Sequence, residues 1–100
     1  MTEPHELMID HTHPSIAGHF PGEPIVPGAI LLDHAICYVE RVFGRKVAAI
    51  PVAKFLAPVR PQQTVVLSIK GSDVDRVSLI GSVSSANVFS VTMTLEAHAD

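Results

Sequence analysis

The sequence predicts an α+β domain in which an antiparallel sheet packs around one long central helix. Three observations carry that expectation. Residues 28–43, GAILLDHAICYVERVF, form a continuous, mostly apolar stretch long enough for about four helical turns. The half of the chain that follows alternates apolar and polar residues, as in TVVLSIKG and VSLIGSVS, the pattern of a sheet with one covered face. The chain is 100 residues long and 47% hydrophobic, which sets a single domain over 1–100 with a core of its own.

Element by element, HELMIDH at 5–11 reads as a short strand. Residues 12–27 read as loop, because Pro14, Pro21, Pro24 and Pro27 fix backbone angles and remove donors; Ser15 caps at most one turn there. The helix starts at Gly28, just after Pro27, where a missing N–H costs nothing. Gly44 supplies the left-handed stop, and Arg41, Arg45 and Lys46 suit the negative end of the dipole. Its first three turns are apolar on nearly every side, so it is expected to be enclosed, with Cys37 as a small core residue. Strands are expected at 47–59, 63–71, 75–84 and 87–96, with turns at RPQQ, GSDVD and SSAN. A sheet curled over one buried helix is the hotdog arrangement.

Composition narrows the function classes. The net charge is −3, which disfavours nucleic acid as a partner. One cysteine, Cys37, excludes an internal disulfide framework and fits a reducing compartment. The start, MTEPHELMID, lacks the basic region and apolar core of a signal peptide. The apolar run over 29–39 is broken by Asp33 and His34 and is too short to span a bilayer. These features predict a cytoplasmic chain with no membrane span. A domain this small leaves much of its surface exposed, which favours a subunit interface.

The chemistry concentrates in GHFPGEPIVPGAILLDHA, residues 18–35. A helix N-terminus offers unpaired N–H groups and the positive end of a dipole. Gly28 has no side chain, so a ligand oxygen can approach its N–H, and an enolate forming there would be stabilised. Asp33 lies five residues further on, among leucines and isoleucines that favour its neutral, proton-donating form. His19, on the proline-rich loop, is a general base for neutral pH. Base, acid and oxyanion donor are the parts needed to remove a proton beside a carbonyl and expel a neighbouring hydroxyl.

With nothing inserted from Gly18 to Asp33, this segment resembles the active-site motif of the 3-hydroxyacyl-acyl-carrier-protein dehydratases, the FabA/FabZ family of hotdog enzymes. AKFLAPVRPQQTV is similar to the strand and turn that follow the family's central helix. Short members with a PGxxLLD reading are familiar from aryl-polyene and other specialised lipid pathways. The resemblance implies a hydro-lyase that reversibly dehydrates a 3-hydroxyacyl thioester on acyl carrier protein to the trans-2-enoyl thioester. His19 matches the catalytic histidine, Asp33 the catalytic acid, and Gly28 the glycine whose N–H binds the thioester oxygen. Phe20 and Pro27 match positions that shape the substrate-binding loop. No metal or redox cofactor is implied; the phosphopantetheine arm belongs to the substrate. Histidine and acid come from different subunits in the family, which implies a homodimer, a dimer-based oligomer or a pairing with a related chain. Departures are Cys37 where many members carry Gln and His34 where many carry Ala. Asp33 itself matches the isomerising branch, whose extra segments are absent.

Other readings remain beside this one. His11, His13 and His19 with Asp33 form a candidate metal set, disfavoured by Pro14 and by the lack of further ligands. A hotdog thioesterase and a non-catalytic acyl-binding subunit share the expected fold. Arg41, Arg45, Lys46, Lys54 and Arg60 place five of the seven basic residues within twenty positions. They form a candidate docking patch for an acidic carrier protein, or else a solvated helix end and strand surface. His34 is expected at a rim or interface, and His5 and His98 in solvent.

Overall fold

A computed structural model describes residues 4–9 and 25–97. Five strands and one helix follow in the order β1 (His5–Leu7), α1 (Gly28–Phe43), β2 (Val47–Phe55), β3 (Val65–Ser72), β4 (Arg76–Val83) and β5 (Ala86–Leu95). The strands form one antiparallel sheet in the order β1-β3-β4-β5-β2. Consecutive strands β3, β4 and β5 pair as a meander because short turns join them. The short β1 and the nine-residue β2 close the two edges.

Alternation in the sequence becomes alternation in burial. Val65 and Leu67 of β3, Val77 and Leu79 of β4, and Phe89, Val91, Met93 and Leu95 of β5 all face one core. The helix adds Leu31, Ala35, Tyr38 and Val39, the positions that share one helical face. Burying each of the valine, leucine, phenylalanine and methionine side chains favours the fold by about 1.5–3 kcal/mol. Gly81 has a packing reason: a Cβ there would run into the Phe89 ring, its partner across the β4/β5 ladder.

The helix bounds agree with the expected 28–43, and Gly44 stops it in the left-handed region at φ 65°, its N–H donating to Glu40 O at 2.8 Å. Full enclosure does not hold. Ala29, Asp33, Cys37 and Arg41 form an exposed stripe on the face away from the sheet. Cys37 is therefore exposed rather than a core residue, because it lies half a helical turn from the Leu31–Ala35 face. His5 is likewise not free in solvent: its ring stacks on buried Tyr38, centroids 5.3 Å apart and planes 17° from parallel. His98 lies outside the described residues.

The second strand ends at Phe55 rather than at residue 59. Beyond it, the Leu56 and Ala57 N–H groups both donate to Val88 O (2.8 and 3.2 Å), which bends the chain off the ladder just before Pro58. RPQQ forms its turn with Gln62 at φ 68°, a value that favours glycine. In the β4/β5 hairpin Ser84 and Ser85 take φ 50° and 69°, the paired positive angles of a type I′ turn.

Candidate active site

The start of α1 and the segment after β2 are held together by one main-chain bond, Val26 N–H to Val59 O at 2.7 Å. Between them lies a cavity of about 480 Å³, lined by Ile25 and Val26, by Gly28 and Leu31 of the helix, and by Phe55 through Val59. Its volume falls within the range of small-ligand sites. Among the described residues its lining side chains are all apolar, so the polar groups they bring to it are those of the backbone.

The helix supplies such a group. Pro27 occupies the N-cap position with no side-chain cap, and no acidic residue stands in the first turn. The Ile30 and Leu31 N–H groups turn back to Pro27 O (3.0 and 3.4 Å). Gly28 therefore brings an uncapped helix end to the cavity wall, at the positive end of the dipole.

Gly28 has a second reason to be glycine. An added Cβ would lie 2.8 Å from Phe55 Cζ and 3.0 and 3.2 Å from the two Cε atoms, so the tip of the Phe55 ring fills the side-chain position. Phe55 in turn meets buried Phe89 at 6.1 Å with planes tilted by 35°. A stack of Gly81, Phe89, Phe55 and Gly28 thus runs from the middle of the sheet to the helix N-terminus.

Asp33 is not on this wall. Five residues along a helix carry it about 7.5 Å up the axis and well around from Gly28. Its carboxylate is exposed on the single chain, so the burial expected from neighbouring leucines and isoleucines is not supplied by its own subunit. His34 beside it is half-buried. His19 and Phe20 lie outside the described residues, as do His11 and His13 of the metal reading. Among the described residues no cluster of three or more metal-ligating side chains occurs, and no helix is long and apolar enough to cross a membrane.

The five basic residues are separated in space. Lys54 precedes Phe55 and Arg60 follows Val59, so both flank the cavity segment, and both are exposed. Lys46 stands at the opposite end of β2, about 26 Å away along the strand. Arg41 is thirteen residues from Gly28, about 20 Å along the helix. Arg45 is engaged elsewhere: Nε donates to Glu96 O (2.8 Å), one terminal nitrogen to Val74 O (2.7 Å) and the other to Asp75 Oδ1 (2.6 Å). It clamps the end of the helix to the β3/β4 turn and to the residue after β5. Residue spacing alone did not single out this clamp or Phe55. The clamp needs partners 29 to 51 positions away, and Phe55 is 27 positions from the glycine it covers.

A family model described as ApeI dehydratase, ApeI-like, matches residues 4–91. Curated relatives named 3-hydroxyacyl-[acyl-carrier-protein] dehydratase FabZ include one from Fusobacterium nucleatum, 42% identical over 59% of this chain and 47% of its own length. Another, from a Wolbachia species, is 31% identical over 86% of this chain and 69% of its own. The match thus spans about half the length of the Fusobacterium relative. A solved structure titled the dehydratase heterocomplex ApeI:P, from Xenorhabdus doucetiae, superposes with a TM-score of 0.80 at 23% identity, covering 94% of this chain and 86% of that one. An uncharacterised protein from Erwinia carotovora superposes equally well, at 0.80 with 22% identity, covering 96% and 87%. At those identities the likeness is one of fold.

Proposed function

Since the chain belongs to the ApeI-like dehydratase family, we propose that it dehydrates a 3-hydroxyacyl thioester carried on acyl carrier protein. The observation that carries this reading is the apolar cavity at an uncapped helix N-terminus, in a chain that also bears the GHFPGEPIVPG…D motif. The thioester carbonyl accepts from the Gly28 N–H, and the dipole favours the negative charge that develops on that oxygen. His19 removes a proton from the carbon beside the carbonyl. Protonated Asp33 gives its proton to the 3-hydroxyl, which leaves as water as the C–O bond breaks. The product is the trans-2-enoyl thioester. Proton return from His19 to Asp33 through solvent closes the cycle, with no net oxidation and no cofactor beyond the substrate's own phosphopantetheine arm.

Asp33 reaches the reacting carbons from a second subunit. Two features support a shared site: Asp33 is exposed and is not among the residues lining its own chain's cavity, and β2 is an edge strand with no further strand neighbour among the described residues. Val52 and Phe55 on that edge strand are 43% and 49% exposed, a large apolar contribution to leave in water. A second hotdog subunit, pairing along β2, covers both. The partner is a copy of this chain or a related dehydratase chain, the latter in keeping with a fold neighbour described as a heterocomplex. Lys54 and Arg60, flanking the cavity segment, are the basic residues suited to steer an acidic carrier protein.

Mass spectrometry of the purified protein with a panel of 3-hydroxyacyl carrier-protein thioesters tests the reaction. Formation of the species lighter by one water supports it; hydrolysis to free acid supports a thioesterase instead, and no change on any substrate supports an acyl-binding subunit. The shared site has its own test. His19→Ala and Asp33→Asn subunits, each inactive alone, are unfolded together and refolded. Half the dimers are mixed and each holds one intact site, so activity returns to about a quarter of wild type. No recovery despite subunit exchange rejects the shared site and leaves the reaction standing.

A further inference from the structure

Among the described residues, Phe55 is the one large side chain that the cavity wall, the helix N-terminus and the sheet core all have in common. Its ring tip occupies the Cβ position of Gly28, its flank meets Phe89, and it lines the cavity. Yet it is 49% exposed, whereas Phe89 beneath it is 1% exposed. Phe89 is fixed by packing on every side; Phe55 is supported from one side and faces the cavity on the other. Ile25, Leu31, Leu56 and Val59 are the smaller aliphatic groups around it.

We propose that Phe55 is the specificity-determining wall of this cavity: its ring ends the apolar space beside the Gly28 N–H, and the size of residue 55 sets how much acyl chain the site accepts. The inference rests on the thioester reading only for the class of ligand. The geometric claim is that the ring occupies volume an apolar chain would otherwise fill. A smaller side chain frees that volume without uncovering a polar side chain among the described residues of the lining. Each additional methylene taken out of water improves affinity by about fourfold. Room for two more therefore favours the longer ligand by about 15-fold. The shortest ligands lose contact with the ring and gain nothing.

The test uses unreactive saturated acyl-pantetheine amides of four to fourteen carbons and measures Kd by calorimetry for wild type, Phe55→Leu and Phe55→Ala. Phe55→Leu keeps an apolar contact with Phe89 and Gly28, so the effect of side-chain size is still read from it in the event that Phe55→Ala does not fold. The expected result is a shift of the optimum to longer chains in the order Phe, Leu, Ala, with the long-to-short affinity ratio rising about 15-fold for the larger truncation. An unchanged ratio overturns the proposal, as does a uniform loss of affinity in folded variants or an absence of binding to any member of the series. Because the amides cannot react, these outcomes are independent of turnover. A wild type that binds them and does not dehydrate a 3-hydroxyacyl panel overturns the catalytic reading and not the role of Phe55.

Discussion

Replacing Arg45 with Ala should unfold the domain more readily and should not act as a docking mutation. The Arg45 side chain is 9% exposed, while its acidic partner Asp75 is 64% exposed. The ion pair is thus mostly hydrated on one side and contributes at most about 1 kcal/mol. The two bonds to main-chain carbonyls of Val74 and Glu96 add about 1–1.5 kcal/mol each, because a charged donor serves groups that the hairpin and the last strand leave without ladder partners. The sum is about 3 kcal/mol, or roughly 12–24 °C in Tm for a domain of this size. Lysine has one compact donor group in place of a planar fork, so Arg45→Lys should recover less than half of the loss. Asp75→Asn should cost about 1 kcal/mol or less. Urea unfolding followed by circular dichroism, at fixed protein concentration, reads all three against Lys46→Ala, an exposed control. The clamp is refuted if Arg45→Ala falls within about 0.5 kcal/mol of that control.

Other expectations follow from the same geometry. In the proposed active-site pair, His19→Ala or Asp33→Asn should lower turnover by about 10²–10⁴-fold while the circular dichroism spectrum is retained; a folded His19→Ala protein of unchanged turnover removes the proposed base. Charge reversal at Lys54 and Arg60 should raise KM for carrier-bound substrate and spare a small free thioester, read by parallel steady-state assays. Ser84→Asn with Ser85→Gly should raise stability by about 1 kcal/mol, since that pair suits a type I′ turn and serine does not; an unchanged urea midpoint would contradict the turn assignment. Gly81→Ala should cost about 2 kcal/mol or more through the Phe89 ring, and Phe89→Leu in the same chain should offset part of that loss in a double-mutant cycle. Burial raises the Tyr38 pKa above its ordinary 10.0. The unfolded chain therefore loses that proton first, and the buried neutral phenol's contribution, complete below about pH 10, fades as pH rises through the folded value. Tyr38→Phe should flatten the loss of stability above pH 10 in alkaline urea titrations.

Elements set by local chemistry were legible in the sequence. Pro27 and Gly44 marked both ends of the helix, and the period-two alternation of VVLSIK and RVSLIG became the buried faces of β3 and β4. Enclosure of the helix is not legible in the sequence, because apolar content is not the same as burial. Ala29 and Cys37 are apolar enough to enter a core, yet the sheet of one chain covers one side only. Asp33 follows the same logic, since what surrounds it is decided by whatever packs on that open face. Long-range geometry was out of reach: nothing in AKFLAPV says that Phe55 will lie on Gly28, and a charge cluster in sequence says nothing about a strand that carries Lys46 and Lys54 to opposite ends.

The strand that ends in Phe55 is also an edge strand, paired on one side only among the described residues. Whatever pairs along β2 lays its side chains beside those of Val52 and Phe55, so the partner's sequence bears on the wall that bounds the cavity. Under the proposed pairing and the proposed role of Phe55, substrate range is a heritable property of a pairing rather than of a chain. Duplication of the gene, followed by drift in one copy's edge residues, can open a new acyl preference while every cavity residue of the other copy stays as it was. Such a lineage would keep two diverging subunits, each constrained by the other, where a single-chain cavity would need only one.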